Sequence, residues 1–474
     1  MAKLKIRNIT KKSLIYSIGT IVSSLSSLIL IPIYSKYLSP SDYGKYELAF
    51  SLTFLLVIIS YFEIHVTMLR FMYGIRNENV KTKYEAIYTS AFLRTISTLL
   101  LLVFVFFINR VTLYPYYQYG IVFGFCFALG FFYLNCARGF DKEYEYTTAF
   151  SIFHIMNLIV NSFLLIVMKM GAESLLISQS ISYLAQAIYI ESKLKIIKNF
   201  ERRFINFKLL PKMLKFSIPL AIAAIGIWVL QFYSNIRLVA LLGSSANGFY
   251  AMALNFARSI PTFANGVIIA WEEIAFSIRG DTQDKNKYFA DSISKVLVML
   301  SCVYMVFVPF VTLIIPYYLD PSYHNIISIV VITTAGRTIN FFSLFLASIF
   351  GNKINSKPLM ISTSIGAIVD ILIINFMINK FGIIGAAISD TIGFTIVALI
   401  RFYWLKIENH YNIKFFKIFT YFAIATAIGY LSLLVNEKQN IILVVVAILI
   451  AAPNILPGPI AKVKEHFTNI RMKK

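Results

Sequence analysis

The chain has 474 residues, 58% of them hydrophobic and only 14% charged, and its apolar residues come in unbroken runs. Runs that are apolar on every side exclude a soluble globular domain, whose core helices alternate apolar and polar faces. The formal charge of +22 would suggest nucleic acid in a soluble protein, but here Lys and Arg cluster in the connectors between runs. That is a topology signal, and no nucleic-acid partner is expected.

Hydropathy and helix breakers predict an all-α polytopic membrane protein with about 14 transmembrane helices, each long enough for a tilted crossing. The spans are 13–35, 46–68, 84–108, 117–136, 148–168 and 172–192, then 215–241, 247–271, 292–315, 324–350, 357–379 and 382–405, then 416–434 and 439–456. The basic N-terminus (Lys3, Lys5, Arg7, Lys11, Lys12) runs into the first span without a small-x-small cleavage site, so that span is expected to stay in place.

After the first span comes Leu38-Ser39-Pro40-Ser41-Asp42-Tyr43-Gly44-Lys45-Tyr46-Glu47-Leu48-Ala49. It returns near mid-chain as Leu242-Gly243-Ser244-Ser245-Ala246-Asn247-Gly248-Phe249-Tyr250-Ala251-Met252-Ala253. Each copy ends one apolar helix and starts another. In the first, Ser39 suits an N-cap, Pro40 the first helical position, and Asp42 the positive end of the dipole. A matching hairpin at the head of each half predicts two similar lobes. The turns Lys169-Met170-Gly171 and Lys380-Phe381-Gly382 echo each other in the same way.

The long connector 193–214 carries Lys193, Lys195, Lys198, Arg202, Arg203, Lys208 and Lys212, as a lobe-to-lobe linker should. The expected organisation is an N-terminal six-helix lobe (1–192), a basic cytoplasmic linker (193–214), a C-terminal six-helix lobe (215–405), and an extra helix pair with a basic tail (406–474). Of the 44 Lys and Arg residues, about 33 fall on the side of both termini. The opposite connectors hold Lys36, Lys45, Arg110, Lys169, Lys380 and Lys438. Both termini are therefore expected in the cytoplasm, with only short outside loops. Six spans per lobe insert the two lobes the same way up, which predicts a pseudo-twofold along the membrane normal.

Cys126, Cys136 and Cys302 show neither disulfide nor metal spacing, and there is no Walker-type phosphate loop. No cofactor or metal is expected, and an ion gradient is the expected energy source.

Charged residues inside spans cost at least about 2.5 kcal/mol each, so they need a purpose or a partner. Arg94, Arg237, Arg258, Lys295 and Arg337 fall inside predicted spans, as do Glu63, His154, Asp370 and Asp390. Several lie on polar helical stripes: Ser60, Glu63, Thr67 and Arg70; Ser90, Arg94, Ser97 and Thr98; His154, Asn157 and Asn161; Asn255, Arg258, Thr262 and Asn265; Thr334, Arg337 and Asn340. Arginines could simply pair with Glu63, Asp370 or Asp390 to lock helices, and Lys295 and Arg237 lie near span ends where they can snorkel. Pairing still leaves a cationic surplus at membrane depth, which favours an anionic substrate. On that reading Arg94, Arg258, Arg337 and Arg237 bind substrate, and Glu63, Asp370 and Asp390 serve as ion-coupling groups or counter-ions. His154, without a histidine nearby, is expected to pack. Pro32, Pro219, Pro261 and Pro309 are expected as kinks, with Pro261 also placed to act as a hinge after Arg258.

The first span running into Tyr37-Leu38-Ser39-Pro40-Ser41-Asp42-Tyr43-Gly44-Lys45-Tyr46 resembles the start of bacterial polysaccharide-unit flippases, the O-antigen or Wzx-type family of the MOP superfamily. The Lys-x-Gly turns and the 6 + 6 + 2 layout resemble it as well. The resemblance implies a non-enzymatic transporter of the bacterial cytoplasmic membrane. It would move an undecaprenyl-pyrophosphate-linked oligosaccharide outward by alternating access, for O-antigen or capsule synthesis. The partners implied are this anionic lipid-linked glycan, membrane lipids, and polysaccharide polymerase and chain-length proteins. A multidrug exporter of the same superfamily would want an acidic cavity. A glycan polymerase or acyltransferase would want a sizeable outside loop or an intramembrane His/Asp site.

Overall fold

The computed structural model describes residues 2–73, 80–108, 116–258, 283–352, 357–408 and 413–455. Among these residues the chain is helical throughout, with no strand. It forms two compact units, residues 1–251 and 252–474.

The first unit contains α1 (Ala2–Tyr37), α2 (Pro40–Tyr61), α3 (Ile64–Tyr73), α4 (Val80–Ile108), α5 (Tyr117–Gly139), α6 (Glu143–Ser162), α7 (Glu173–Leu194), α8 (Leu210–Leu242) and the start of α9 (Ser244–Ala257). The second contains the end of α9, α10 (Gln283–Tyr318), α11 (Ile327–Asn352), α12 (Lys357–Phe381), α13 (Ile383–Glu408), α14 (Phe415–Leu431) and α15 (Glu437–Ile455). Among the described residues ten helices (α1, α2, α5, α6, α8, α10 to α13 and α15) are long and apolar enough to cross a membrane, so this is a multi-pass membrane protein. The expected spans 84–108, 172–192 and 416–434 fall on α4, α7 and the seventeen-residue α14, and 247–271 begins on α9 with its residues 259–271 outside the described residues; none of these helices is in that group. The ten therefore do not establish a count of 14.

Helix starts and bends follow from local chemistry. Ser39 caps α2: its Oγ accepts the Asp42 N–H at 3.1 Å and donates to the Asp42 carboxylate at 2.8 Å, with Pro40 at the first helical position. Pro32, Pro219 and Pro309 lie inside continuous helices, while Pro261 lies outside the described residues. Side chains such as Leu372, Phe416 and Leu449 are exposed, as a lipid-facing surface requires.

The repeated dozen residues meet each other. A Cβ on Gly44 would collide with the carbonyl oxygen of Ser244, and one on Gly248 would collide with that of Pro40. Pro40 and Ser244 occupy equivalent places in the two copies, as do Gly44 and Gly248, so the contact is reciprocal in the manner of a local twofold. Asn247 Nδ2 donates to the Gly44 carbonyl at 2.8 Å. Glycine is required here because two helix starts cross with backbone against backbone. The other echo is looser: Lys169 takes the left-handed conformation in the first Lys-x-Gly turn (φ 51°), whereas Gly382 does so in the second (φ 61°).

The connector after α7 is docked rather than trailing. The Tyr88 hydroxyl on α4 donates to the Ile196 carbonyl at 2.6 Å, and Asn206 Nδ2 donates to Glu85 at 3.0 Å. Beneath it lies a core of Met68, Ile87, Phe132, Cys136, Ile190 and Met213, drawn from five helices. The second unit packs Ile293, Leu297, Phe341, Phe345, Leu405 and Ile418 in the same style.

Candidate functional site

The expected span 46–68 is not one helix. Phe62 (φ 48°) and Glu63 (φ 53°) are both left-handed and separate α2 from α3. Non-glycine residues held there cost about 1–3 kcal/mol each and persist only where surroundings enforce them. Part of that enforcement is visible: Ser217 on α8, fully buried, donates its hydroxyl to the Phe62 carbonyl freed by the break. Arg70 on α3 stacks over Phe216, 4.5 Å from the ring centre.

The break gathers polar groups. Glu63 and His65 come within 3.5 Å. Residues two apart on a continuous helix face away from each other, so only the reversal of backbone hand allows this pairing. His65 lies edge-on to Phe131 and within the field of Arg94 on α4. The Arg94 guanidinium lies over the rings of Phe132 (5.2 Å) and Tyr61 (5.8 Å). Its Nε is buried without a hydrogen-bond partner, as is the Thr67 hydroxyl. Among the described residues no carboxylate lies within ion-pair distance of Arg94. The Tyr61 hydroxyl meets Thr98 Oγ1 at 2.9 Å and ties the end of α2 to α4. A half-buried guanidinium with a donor to spare, near a histidine that is itself paired with a carboxylate, can take an anion and respond to a proton.

In the second unit, Arg337 on α11 is buried over Phe394 of α13, 5.2 Å from the ring centre. Its neighbour Gly336 packs closely against Thr391, the neighbour of Asp390, where α11 meets α13. Asp370 on α12 is fully buried; its Oδ1 accepts the Ser389 hydroxyl, and its Oδ2 has no hydrogen-bond partner. Asp390, also buried, bears on Asp370 with like charge. The two acids therefore share one environment.

The other expected groups are dispersed. Arg237 is half-buried on α8 in the first unit. Arg258 lies in the turn closing α9, its N–H donating to the Leu254 carbonyl at 2.8 Å, rather than inside a helix. Thr262 and Asn265 of its expected stripe lie outside the described residues. Lys295 is exposed, beside Lys414 and Lys417. Asn157 and Asn161 act in packing: Asn157 accepts from Ser178, and Asn161 Nδ2 donates to the Tyr34 hydroxyl at 2.7 Å. His154 lies edge-on to Phe150 and Phe153.

Three groups escape the sequence reading. His65 is overlooked because it does not share the helical stripe of Glu63. Glu47 is buried on α2, with the Tyr43 hydroxyl donating to its carboxylate at 3.4 Å; it reads in sequence as part of the hairpin. Arg401 reads as one more base near a span end. In the structure it is buried on α13, donating to Ser362 Oγ (3.0 Å), Ser343 O (2.9 Å), Ser343 Oγ (2.8 Å) and Thr363 Oγ1 (3.0 Å).

The fold has counterparts among solved transporters. Lipid II flippase MurJ in an inward closed conformation is similar at 18% identity and a TM-score of 0.69, covering 93% of this chain and 98% of that one. An inward-facing multidrug resistance MATE family transporter of the MOP superfamily is similar at 13% identity and a TM-score of 0.64, covering 83% and 98%. An outward-facing multidrug resistance MATE family transporter of the MOP superfamily gives 14% identity and a TM-score of 0.62, covering 84% and 96%. No curated protein matches the chain. The family described as polysaccharide biosynthesis protein matches residues 9–271, more than half of the sequence. The chain belongs to the polysaccharide biosynthesis protein family.

Proposed function

We propose that this protein flips an undecaprenyl-pyrophosphate-linked oligosaccharide repeat unit across the bacterial cytoplasmic membrane by alternating access, for surface polysaccharide synthesis. Family membership supports the glycan as cargo, and the MurJ-like fold supports a lipid-linked one. The observation that carries the reading is Arg94: a cation placed among aromatic faces, with a buried N–H left over. A pyrophosphate would satisfy that donor with a charge-assisted hydrogen bond. On this reading Arg237, Arg258 and Arg337 are further cationic contacts for the substrate during the alternating-access cycle of the lobes 1–192 and 215–405. Glu63, with His65, and the Asp370–Asp390 pair carry the coupling ion or balance charge when the substrate leaves. Both termini lie in the cytoplasm, and polymerase and chain-length proteins receive the product.

The MATE-like fold supports a second reading, export of an organic cation, with the acids as its binding groups. One experiment separates the two. Arg94→Ala should abolish surface glycan display while membrane abundance stays near normal, and Arg94→Lys should restore display in part, since lysine lacks the forked geometry. Full display in Arg94→Ala, together with drug sensitivity in Asp370→Asn, would favour the exporter.

A further inference from the structure

The second unit holds a cavity of about 480 Å³, with both polar and apolar lining, where the end of α10, the turn 321–326, the end of α14 and the start of α15 converge. Its size suits a small organic ligand. No lysine or arginine lines it, which argues against a phosphate. What lines it is rich in acceptors. Asn440 is buried and spends its amide N–H groups on the Pro309 carbonyl (3.3 Å) and Thr312 Oγ1 (3.0 Å), leaving its Oδ1 buried without a partner. Glu437 accepts one hydrogen bond, from the Tyr317 hydroxyl at 2.7 Å. His324 uses Nε2 on the Leu319 carbonyl at 3.1 Å, and Ser432 donates inward to the Gly429 carbonyl. The Tyr317 side chain itself is 74% exposed at the cavity edge.

A surplus of fixed acceptors calls for a ligand rich in donors, and an uncommitted aromatic ring calls for an apolar face. A pyranose offers both: hydroxyl and acetamido N–H groups around its rim, and C–H groups on its flat faces. We propose that this cavity is a sugar-binding subsite, in which Asn440 Oδ1 and the Glu437 carboxylate accept from a sugar ring stacked on Tyr317. Resting on the flippase reading and its orientation, the subsite lies at the outer face. There it holds a glycan unit that has crossed, apart from any group that holds the pyrophosphate.

The test uses the full-length protein in phosphatidylcholine nanodiscs and saturation-transfer NMR. The probes are methyl glucoside, methyl galactoside, methyl mannoside and N,N′-diacetylchitobiose, with glycerol 1-phosphate and tetraphenylphosphonium run alongside. Transfer to the ring protons of at least one sugar is expected. It should be weakened about tenfold in Tyr317→Leu and in Glu437→Gln, as for loss of one good contact. Asn440→Leu should abolish it; if that variant does not fold, the two surface variants decide. No transfer to any sugar, equal transfer in the variants, or transfer only to glycerol phosphate or to the cation overturns the subsite. Glycan display in Arg94→Ala reports on the flippase reading separately. A silent cavity with display lost in Arg94→Ala removes the subsite and leaves the flippase, and a binding cavity with full display in Arg94→Ala does the reverse.

Discussion

Arg401 and Arg94 are both drawn into helix packing, one in each unit, and their surroundings treat them in opposite ways. Around Arg401, two serines, a threonine and a main-chain carbonyl from α11 and α12 receive the guanidinium on all three nitrogens. Around Arg94 the neighbours are ring faces and a histidine that gains nothing from a nearby cation, and Nε has no acceptor. A buried charge met by fixed dipoles needs nothing further, and one met by aromatic faces keeps capacity for a ligand. Burial of a cation is therefore a poor guide to function in a membrane protein. Unspent hydrogen-bonding capacity is the better one.

The largest effect is expected where the network is complete. Arg401→Ala strips the hydroxyls of Ser343, Ser362 and Thr363 of their donor and leaves a void, costing about 3 kcal/mol. Thermal denaturation in detergent should show a lower midpoint, with membrane abundance falling in parallel. Arg401→Lys keeps the charge but reaches fewer of the four acceptors, and a smaller loss of about 2 kcal/mol is expected. A variant of Arg401 that is stable but fails to display glycan would break the contrast, because it would make this arginine a substrate contact.

Arg94→Ala should behave in the opposite way. Removing an under-satisfied cation relieves a desolvation cost, so stability should change by about 1 kcal/mol or less. Glycan display should nonetheless fall, and measuring abundance beside display reads the two effects separately. On the stability scale Ser217→Ala falls between the Arg401 variants and Arg94→Ala. It removes the hydroxyl that satisfies the Phe62 carbonyl, at a cost of about 1–2 kcal/mol for a buried group left unmade. If the break in α2–α3 positions Glu63 and His65 against Arg94, this variant should also lower display, although Ser217 belongs to α8 and carries no charge.

Most of the scaffold was legible from the residues. Most expected spans that lie in the described residues fall on helices because twenty apolar residues in a row have few other solutions in lipid, 46–68 being the one that breaks, and Ser39, Pro40 and Asp42 mark the start of α2 by their chemistry. The hairpin repeat was visible as a pattern, though its reason was not. Gly44 and Gly248 match because each lies against the backbone that starts the other copy, and that contact is long-range. The candidate site was legible only in part. Arg94 and Glu63 stand out by depth alone. Nothing in Ser60-Tyr61-Phe62-Glu63-Ile64-His65 signals a helix break, since it contains neither glycine nor proline; tertiary packing by Ser217 and the α4 and α8 side chains overrides local preference. Without the break, His65 belongs to the wrong face. Arg401 was missed for a related reason, as its acceptors come from residues 38 to 58 positions away.

The smallest effect tests that break by its sign. Phe62 is 38% exposed, so replacing its ring removes little packing, and the comparison of interest is between Phe62→Gly and Phe62→Ala. In a continuous helix alanine is favoured over glycine by about 1 kcal/mol, because glycine loses more backbone entropy. At a left-handed position the order reverses, since glycine has no Cβ to crowd the following carbonyl, and the preference is about 1–2 kcal/mol the other way. With φ at 48°, Phe62→Gly should melt above Phe62→Ala, being the more stable by about 1 kcal/mol after the packing common to both is set aside. Glu63 is left-handed as well, but its carboxylate faces His65, so a substitution there would mix strain with charge. Phe62 gives the cleaner measurement. If Phe62→Ala proves the more stable, α2 and α3 run as one helix in the membrane, Glu63 and His65 return to different faces, and the site around Arg94 loses its carboxylate–imidazole pair. The arginine would then be left with ring faces alone, and the contrast with Arg401 would rest on its unspent Nε only.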